Sequence, residues 1–288
     1  MLRQSVGRPF ILNNQQQFDI VIEPGRTERN YWRDLWRYRE LFYFLAWRDI
    51  LVRYKQTVMG VAWSVLRPLL TMVVFTIVFG KLAKLPAGKV PYPILVFSAL
   101  LPWQFFSNAF SEASNSLVNS AHMISKVYFP RIIIPTSSVI VSLVDLLISA
   151  LILGFLMLFY GYAPSSRIFA LPLFLLFAVA TAMGAGIWIA AVNVKYRDFR
   201  HVVPFIVQFG LYISPVGFSS TVVPDRWRLL YSLNPLVGVI DGFRWSLSGD
   251  VTTLYLPGLV LSALTAGTLL LLGIVYFRKA EKTFADVI

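Results

Sequence analysis

Cysteine is absent from all 288 residues, which excludes disulfides, thiolate metal sites and thiol catalysis. Histidine is almost absent: His122 and His201 are the only imidazoles, and their spacing forms no metal-binding motif. Acids are scarce, 14 Asp and Glu against 26 Lys and Arg. No Gly-x-x-x-x-Gly-Lys-Ser/Thr loop occurs anywhere, so the chain cannot bind and hydrolyse ATP by that route. No Asp-x-Asp pair is present either, and Asp198 stands alone among bases; a membrane-embedded glycosyltransferase or lipid-modifying enzyme would need paired acids. The first thirty residues are polar and mixed in charge, without the apolar core of an export signal, so the N-terminus is expected not to be a cleaved signal peptide.

What the chain has in excess is apolar length. Hydrophobic residues make up 57% of it and the mean hydropathy is +0.66. Six stretches are long enough, or nearly so, to meet the requirement of roughly 20 mostly apolar helical residues per bilayer crossing. They run from about Val61 to Gly80, Ile94 to Asn119, Thr136 to Tyr160, Ile168 to Val192, Val202 to Val216 and Leu256 to Phe277, the fifth being short. The expected fold is an all-α integral membrane protein with six transmembrane helices and no room for a second folded enzyme domain. A net charge of +12 would suggest nucleic acid in a soluble protein. Here loop cations account for it, and no nucleic-acid partner is expected.

Three regions follow. Residues 1–30 form a polar arm with one strand-like piece, Phe18–Ile22, ended by Pro24-Gly25. Residues 31–57 form an amphipathic cytoplasmic interface helix. Trp32, Leu35, Trp36, Phe42, Tyr43, Ala46, Trp47, Ile50 and Tyr54 recur at helical steps, opposite Arg33, Arg37, Glu40, Arg48 and Asp49. Such a helix suits the membrane surface; packing on a soluble partner is the alternative. Residues 58–288 form the six-helix membrane domain. Four basic clusters fall on one side: Arg48, Arg53 and Lys55; Lys126 and Arg131; Lys195, Arg197 and Arg200; Arg278, Lys279 and Lys282. That bias puts both termini in the cytoplasm, against the weaker opposing set Lys81, Lys84 and Lys89.

Two loops on the basic side are patterned alike. One carries Lys126, Tyr128, Phe129 and Arg131; the other carries Lys195, Tyr196, Arg197, Asp198 and Phe199. Cations mixed with aromatics make compact knobs able to seat in a partner's groove, since aromatic and Arg side chains dominate interface hot spots. The plainer reading is that they are topology anchors.

Four segments together carry a family resemblance: Tyr54-Lys55-Gln56-Thr57-Val58-Met59-Gly60-Val61-Ala62-Trp63 before the first span, Leu101-Pro102-Trp103-Gln104-Phe105-Phe106-Ser107-Asn108 in the second, Asn193-Val194-Lys195-Tyr196-Arg197-Asp198 after the fourth, and Ser232-Leu233-Asn234-Pro235-Leu236 before the sixth. In these the chain resembles the permease subunit of type-2 ABC exporters, in the polysaccharide-export branch that moves O-antigen, capsule or teichoic-acid chains. The resemblance covers roughly residues 31 to 288. It implies a homodimeric channel in the bacterial inner membrane, with two separate ATPase subunits docked on the cytoplasmic loops. Those partners would bind ATP and Mg, and no cofactor is expected in this chain. The implied cargo is a lipid-linked polysaccharide. A lipid or drug exporter of the same superfamily is the alternative, and a membrane-embedded glycan- or lipid-modifying enzyme a weaker one.

The resemblance also gives roles to residues whose spacing alone leaves them open. Phe75 and Phe79, and Phe205, Phe209 and Tyr212 beside Gln208, share helical faces. Spacing favours packing; the resemblance implies channel lining, where rings can stack on the apolar faces of sugars. Asn108, Glu112, Asn115 and Asn119 form a polar stripe, which must meet water or another helix: it bonds a neighbouring helix or, with Asn108, Glu112 and Asn115, lines the cytoplasmic half of the channel that the resemblance implies. Asp145 is a lone intramembrane acid, better read as paired with a neighbouring helix than as a relay. Arg67 lies roughly 9 Å into the first span by helical rise. It snorkels to the surface by default, or contacts the phosphate of a lipid-pyrophosphate substrate. The stretch with Pro215, Trp227, Asn234 and Pro235 breaks into two short pieces, about Arg226–Ser232 and Pro235–Leu247, and reads as a broken-helix outer gate or an inert hairpin.

Overall fold

The computed structural model describes residues 27–55, 58–86, 88, 90–248 and 254–284; the strand-like piece at Phe18–Ile22 lies outside them. The described residues are mostly helical and contain no strand. Helices α1 (Thr27–Arg37) and α2 (Arg39–Lys55) precede α3 (Val58–Phe75), which runs on as a π-helical segment, Thr76–Leu82. Then come α4 (Tyr92–Asn119), the short α5 (Ala121–Ile124), α6 (Ile133–Phe159) and α7 (Leu171–Lys195), the last preceded by a 3₁₀ turn, Ser166–Ala170. The chain closes with α8 (Phe199–Ile213), α9 (Asp225–Tyr231), α10 (Pro235–Ser248) and α11 (Leu256–Glu281).

Five of these are long and apolar enough to cross a membrane: Ala62–Leu82, Tyr92–Asn119, Ile133–Phe159, Ser166–Lys195 and Leu256–Glu281. The fifth expected span is the shorter apolar helix α8. Its 15 residues reach only about 22 Å, against a hydrocarbon core of roughly 30 Å. It stops where Ser214-Pro215 begins, because proline cannot extend the helical ladder. The single interface helix expected over 31–57 is two helices, broken at Tyr38.

Helix α4 is the axis. It is buried along 78% of its central stretch, against 17–39% for the other four. Its neighbours α6, α7, α10, α3 and α8 pack around it. Close approach depends on small residues, as expected where packing rather than water exclusion drives helix association. A Cβ on Gly186 of α7 would stand 2.7 Å from Ala113 Cβ of α4. Where α7 crosses α11 the backbones themselves touch: a Cβ on Gly184 would meet the Leu270 nitrogen at 2.6 Å, and one on Gly273 the Gly184 carbonyl oxygen at 2.4 Å.

The bundle has two distinct ends. At one, the final turns of α4, α7 and α11 meet the start of α6 and helices α1 and α2 around a core of Tyr31, Leu45, Phe129, Ile133, Phe277 and Phe284. The loops with Lys126 and Arg131 and with Lys195, Arg197 and Arg200 belong to this end, whereas Lys81 and Lys84 lie towards the other. At the other, the first turns of α4 and α7 meet α10 and the broken segment after α8.

The crossing of α7 and α11 gives a direct test of this packing. Gly184→Leu drives a side chain into backbone that cannot yield and should abolish monodisperse protein in detergent size-exclusion chromatography. Gly267→Leu, on the same α11 but with open space around its Cβ, should leave the profile unchanged.

Candidate functional site

At the basic end the two patterned loops are built differently. In the first, Lys126, Val127 and Tyr128 are exposed while Phe129 is buried in the terminal core. The Arg131 backbone N–H donates to Glu281 Oε1 at 2.7 Å and its Nη1 to the Glu281 carbonyl at 2.8 Å. Its guanidinium also lies over the Phe284 ring, 5.9 Å from the centroid. Phe129 and Arg131 therefore anchor the loop, and Lys126 and Tyr128 are what it presents. A cavity of about 500 Å³ opens between this loop, Tyr31 of α1 and the end of α11. Burial pushes the Tyr31 phenol well above its usual range; it lies beside Glu281 without reaching hydrogen-bond geometry. In the second loop Lys195, Tyr196, Arg197 and Asp198 are exposed and Phe199 is half-buried. The base of that loop is tied to α4, where Asn193 Nδ2 donates to the Ser114 carbonyl at 3.1 Å and to Asn115 Oδ1 at 3.2 Å.

The polar stripe on α4 meets both another helix and open space. Arg53, near the end of α2, donates through Nη1 to Asp145 Oδ2 and through Nη2 to Glu112 Oε1, each at 2.9 Å. The Tyr54 hydroxyl donates to the other Asp145 oxygen, and Asn108 Nδ2 lies 3.5 Å from Asp145. Asp145 is thus the paired acid that its isolation in an apolar span predicts. Its partners were not legible: Arg53 reads from sequence as one more topology cation, and only the approach of α2 to α6 brings it to the acid. Next to this network a cavity of about 380 Å³ is lined by Arg53, Trp63, Arg67, Trp103, Gln104, Asn108 and Gln208, among others. Arg67 is exposed at its wall. Further along the stripe, Ser111, Glu112, Asn115, Asn119, Asn193 and Arg200 line a second polar pocket of about 300 Å³.

The aromatic residues divide into two groups. Phe75 and Phe79 meet edge-on, 5.3 Å between centroids; Phe75 is buried and Phe79 half-buried. Both press on Gly217, where a Cβ would stand 2.5 Å from Phe79. Phe205 and Phe209, with centroids 4.2 Å apart, and Tyr212 instead stand exposed on α8. Helix α3 and its π-helical continuation likewise leave Trp63, Leu66, Leu70, Val73, Val74 and Ile77 uncovered. In the single chain, α3 and α8 therefore carry broad faces with no partner.

The broken segment after α8 is held by a residue outside the predicted set. Arg244 of α10 is buried, and its Nε, Nη1 and Nη2 donate to the carbonyls of Leu95, Phe218 and Val216 at 3.2, 2.7 and 3.0 Å. Asp241, one turn earlier, supplies the opposing charge. A single Arg one turn after an Asp in a short apolar helix was the available signal. Pro215 is buried here and Trp227 exposed on α9. Asn234 caps α10 by accepting from the Leu236 N–H at 3.1 Å, and its amide reaches Ser214 Oγ at 3.0 Å. Pro235 follows as the first helical residue, where its missing N–H costs nothing.

A family described as ABC-2 type transporter matches residues 40–248. Relatives include the O-antigen export system permease protein RfbA of Klebsiella pneumoniae, 26% identical over 256 residues, which cover 86% of this chain and 95% of that protein. RfbA of Myxococcus xanthus is 27% identical over 215 residues, 74% of this chain and 82% of its own. The capsule polysaccharide export inner-membrane protein CtrC of Neisseria meningitidis serogroup A is 24% identical over 246 residues, 83% and 90% respectively.

The two acids that share Arg53 should not be equivalent. Asp145 is 14% exposed and Glu112 49%. Asp145→Ala should cost about 1–2 kcal/mol by leaving the part-buried Arg53 and Tyr54 donors without their acceptor, whereas Glu112→Ala should cost under about 1 kcal/mol, as for an exposed pair. Thermal unfolding in detergent, followed by tryptophan fluorescence, ranks the two.

Proposed function

The chain belongs to the ABC-2 type transporter family, and from that premise we propose that it is the channel-forming permease of an exporter of lipid-linked polysaccharide, O-antigen or capsule in type. The carrying observation is similarity over most of the chain to relatives whose names denote export of these polymers. The exposed rings on α8 and the amide-rich stripe on α4 suit such a cargo, since rings stack on sugar faces while amides and carboxylates take the hydroxyls. A lipid or drug exporter would have less use for that polar stripe.

In this reading two copies close their uncovered α3 and α8 faces around the polymer. Phe79, Phe205, Phe209 and Tyr212 line the route, together with Asn108, Glu112 and Asn115, while the expected lining residue Phe75 is buried against Gly217 and backs Phe79. The α8 helix and its broken extension make the sixth crossing, both termini lie in the cytoplasm of a bacterial cell, and α1 and α2 lie along the inner-membrane surface. The segment with Pro215, Trp227, Asn234 and Pro235 forms the outer gate. Arg67, beside a cavity with aromatic and amide walls, contacts the lipid phosphate. Two ATPase subunits, which bind ATP and Mg, dock on the loops.

The docking surface is now the exposed set Lys126, Tyr128, Lys195, Tyr196, Arg197 and Asp198, with Phe199 at its edge and Phe129 and Arg131 holding the first loop in shape. Tyr128→Glu with Tyr196→Glu places unpaired charge in a desolvated groove and should reduce ATPase co-purification at least about tenfold, with membrane insertion intact. Unchanged complex formation would refute the assignment.

Replacing Phe209 and Tyr212 together with Ala tests the route itself. Both are half or more exposed in the chain, so a folding defect is not expected. Surface polysaccharide per assembled transporter should fall severalfold if they line the path. A normal ratio would assign them to packing between copies.

A further inference from the structure

Between α6 and α7 lies an apolar crevice of about 710 Å³, separated by Leu101 and Leu146 from the polar cavity beside Arg67. Leu146, Ala150, Gly154 and Leu158 line it as a four-residue stripe along α6. Leu171 and Leu175 of α7 form the opposite wall, and Phe243 and Leu247 of α10 the floor. Gly154 leaves it open to the side, for a Cβ there would meet nothing within 4 Å. Interiors are close-packed, and a gap of this size with apolar walls offers water no hydrogen-bond partners.

Its position identifies what fills it. Both walls are helices long and apolar enough to cross the membrane, so the medium at its mouth is hydrocarbon. One end reaches the α6–α7 loop, where Tyr160 and Tyr162 have the amphipathic chemistry of the membrane interface. The other end is stopped by Leu101 and Leu146, both buried. From Leu158 down to Leu146 is about 18 Å by helical rise, close to the roughly 15 Å depth of one leaflet. The crevice is therefore a blind groove one leaflet deep. None of its walls comes from the uncovered faces of α3 or α8.

We infer that this crevice is a binding site for one acyl chain of a phospholipid in the leaflet at the α6–α7 loop, a bound lipid that wedges α6, α7 and α10 apart.

The probe is phosphatidylethanolamine with a mid-chain diazirine, in vesicles of phosphatidylethanolamine and phosphatidylglycerol holding the full chain assembled with its partners. Photolabel should concentrate on peptides spanning Leu146–Leu158 and Leu171–Leu175. Gly154→Phe, which fills the groove, should lower that labelling about tenfold by displacing methylenes from it. Gly267→Phe on α11, equally open at its Cβ but outside the groove, should leave it unchanged. Ala150→Phe repeats the test should Gly154→Phe reduce folded yield. Label spread evenly over α3, α8 and α11, or equal labelling in the two glycine variants, overturns the proposal. Since the chain has no native cysteine, Leu158→Cys gives a clean second reading: a disulfide between copies would show that another protomer covers the groove, and also overturns it.

Discussion

A chain that breaks its helix inside an apolar bundle frees carbonyl oxygens that neither water nor lipid can satisfy. Arg244 meets that constraint here. Its planar fork takes carbonyls from the broken segment at Val216 and Phe218 and from α4 at Leu95, geometry that a lysine ammonium could not match. The segment is thereby riveted to the axis of the fold. Its position in turn sets Gly217 against Phe75 and Phe79 and lets the Tyr92 hydroxyl donate to the Gly217 carbonyl at 2.8 Å. The end of α3, the start of α4 and the segment after α8 thus meet around one buried guanidinium.

The basic end is organised by a different contact, the hold of Arg131 on the last turn of α11. Through it one loop, the start of α6 and α11 share a core with α1. A push on the exposed tip at Tyr128 is therefore delivered to packed helices rather than lost in a slack loop. The second loop is braced likewise, by Asn193 on α4.

Helix α4 carries two chemistries on one surface. Its small residues admit α7 closely, while its amides and Glu112 face a pair of polar cavities. Polar groups at such depth are costly unless partnered, and Arg53 partners two acids at once. That same network leaves Arg67, Gln104 and Gln208 lining a cavity, so one stretch of helix serves both stability and the proposed path.

Patterns along the chain were enough to establish much of this protein. Apolar runs set five of the six expected spans to within a few residues, and proline and glycine marked the α9 and α10 pieces. The four family segments pointed to the transporter class. These features are local, or arise from transfer of a whole helix into hydrocarbon, and so are written in consecutive residues. What the chain order could not disclose was which side chains meet. Phe129 and Arg131 read as exposed docking residues because aromatic and cationic types look alike whether they anchor a loop or project from it. Arg53 and Arg244 read as flanking charges because their partners lie 92 and 149 residues away in the chain. Only tertiary packing brought those groups within 3.2 Å of their acceptors, and it did so because a buried polar group must find a partner wherever the fold can supply one.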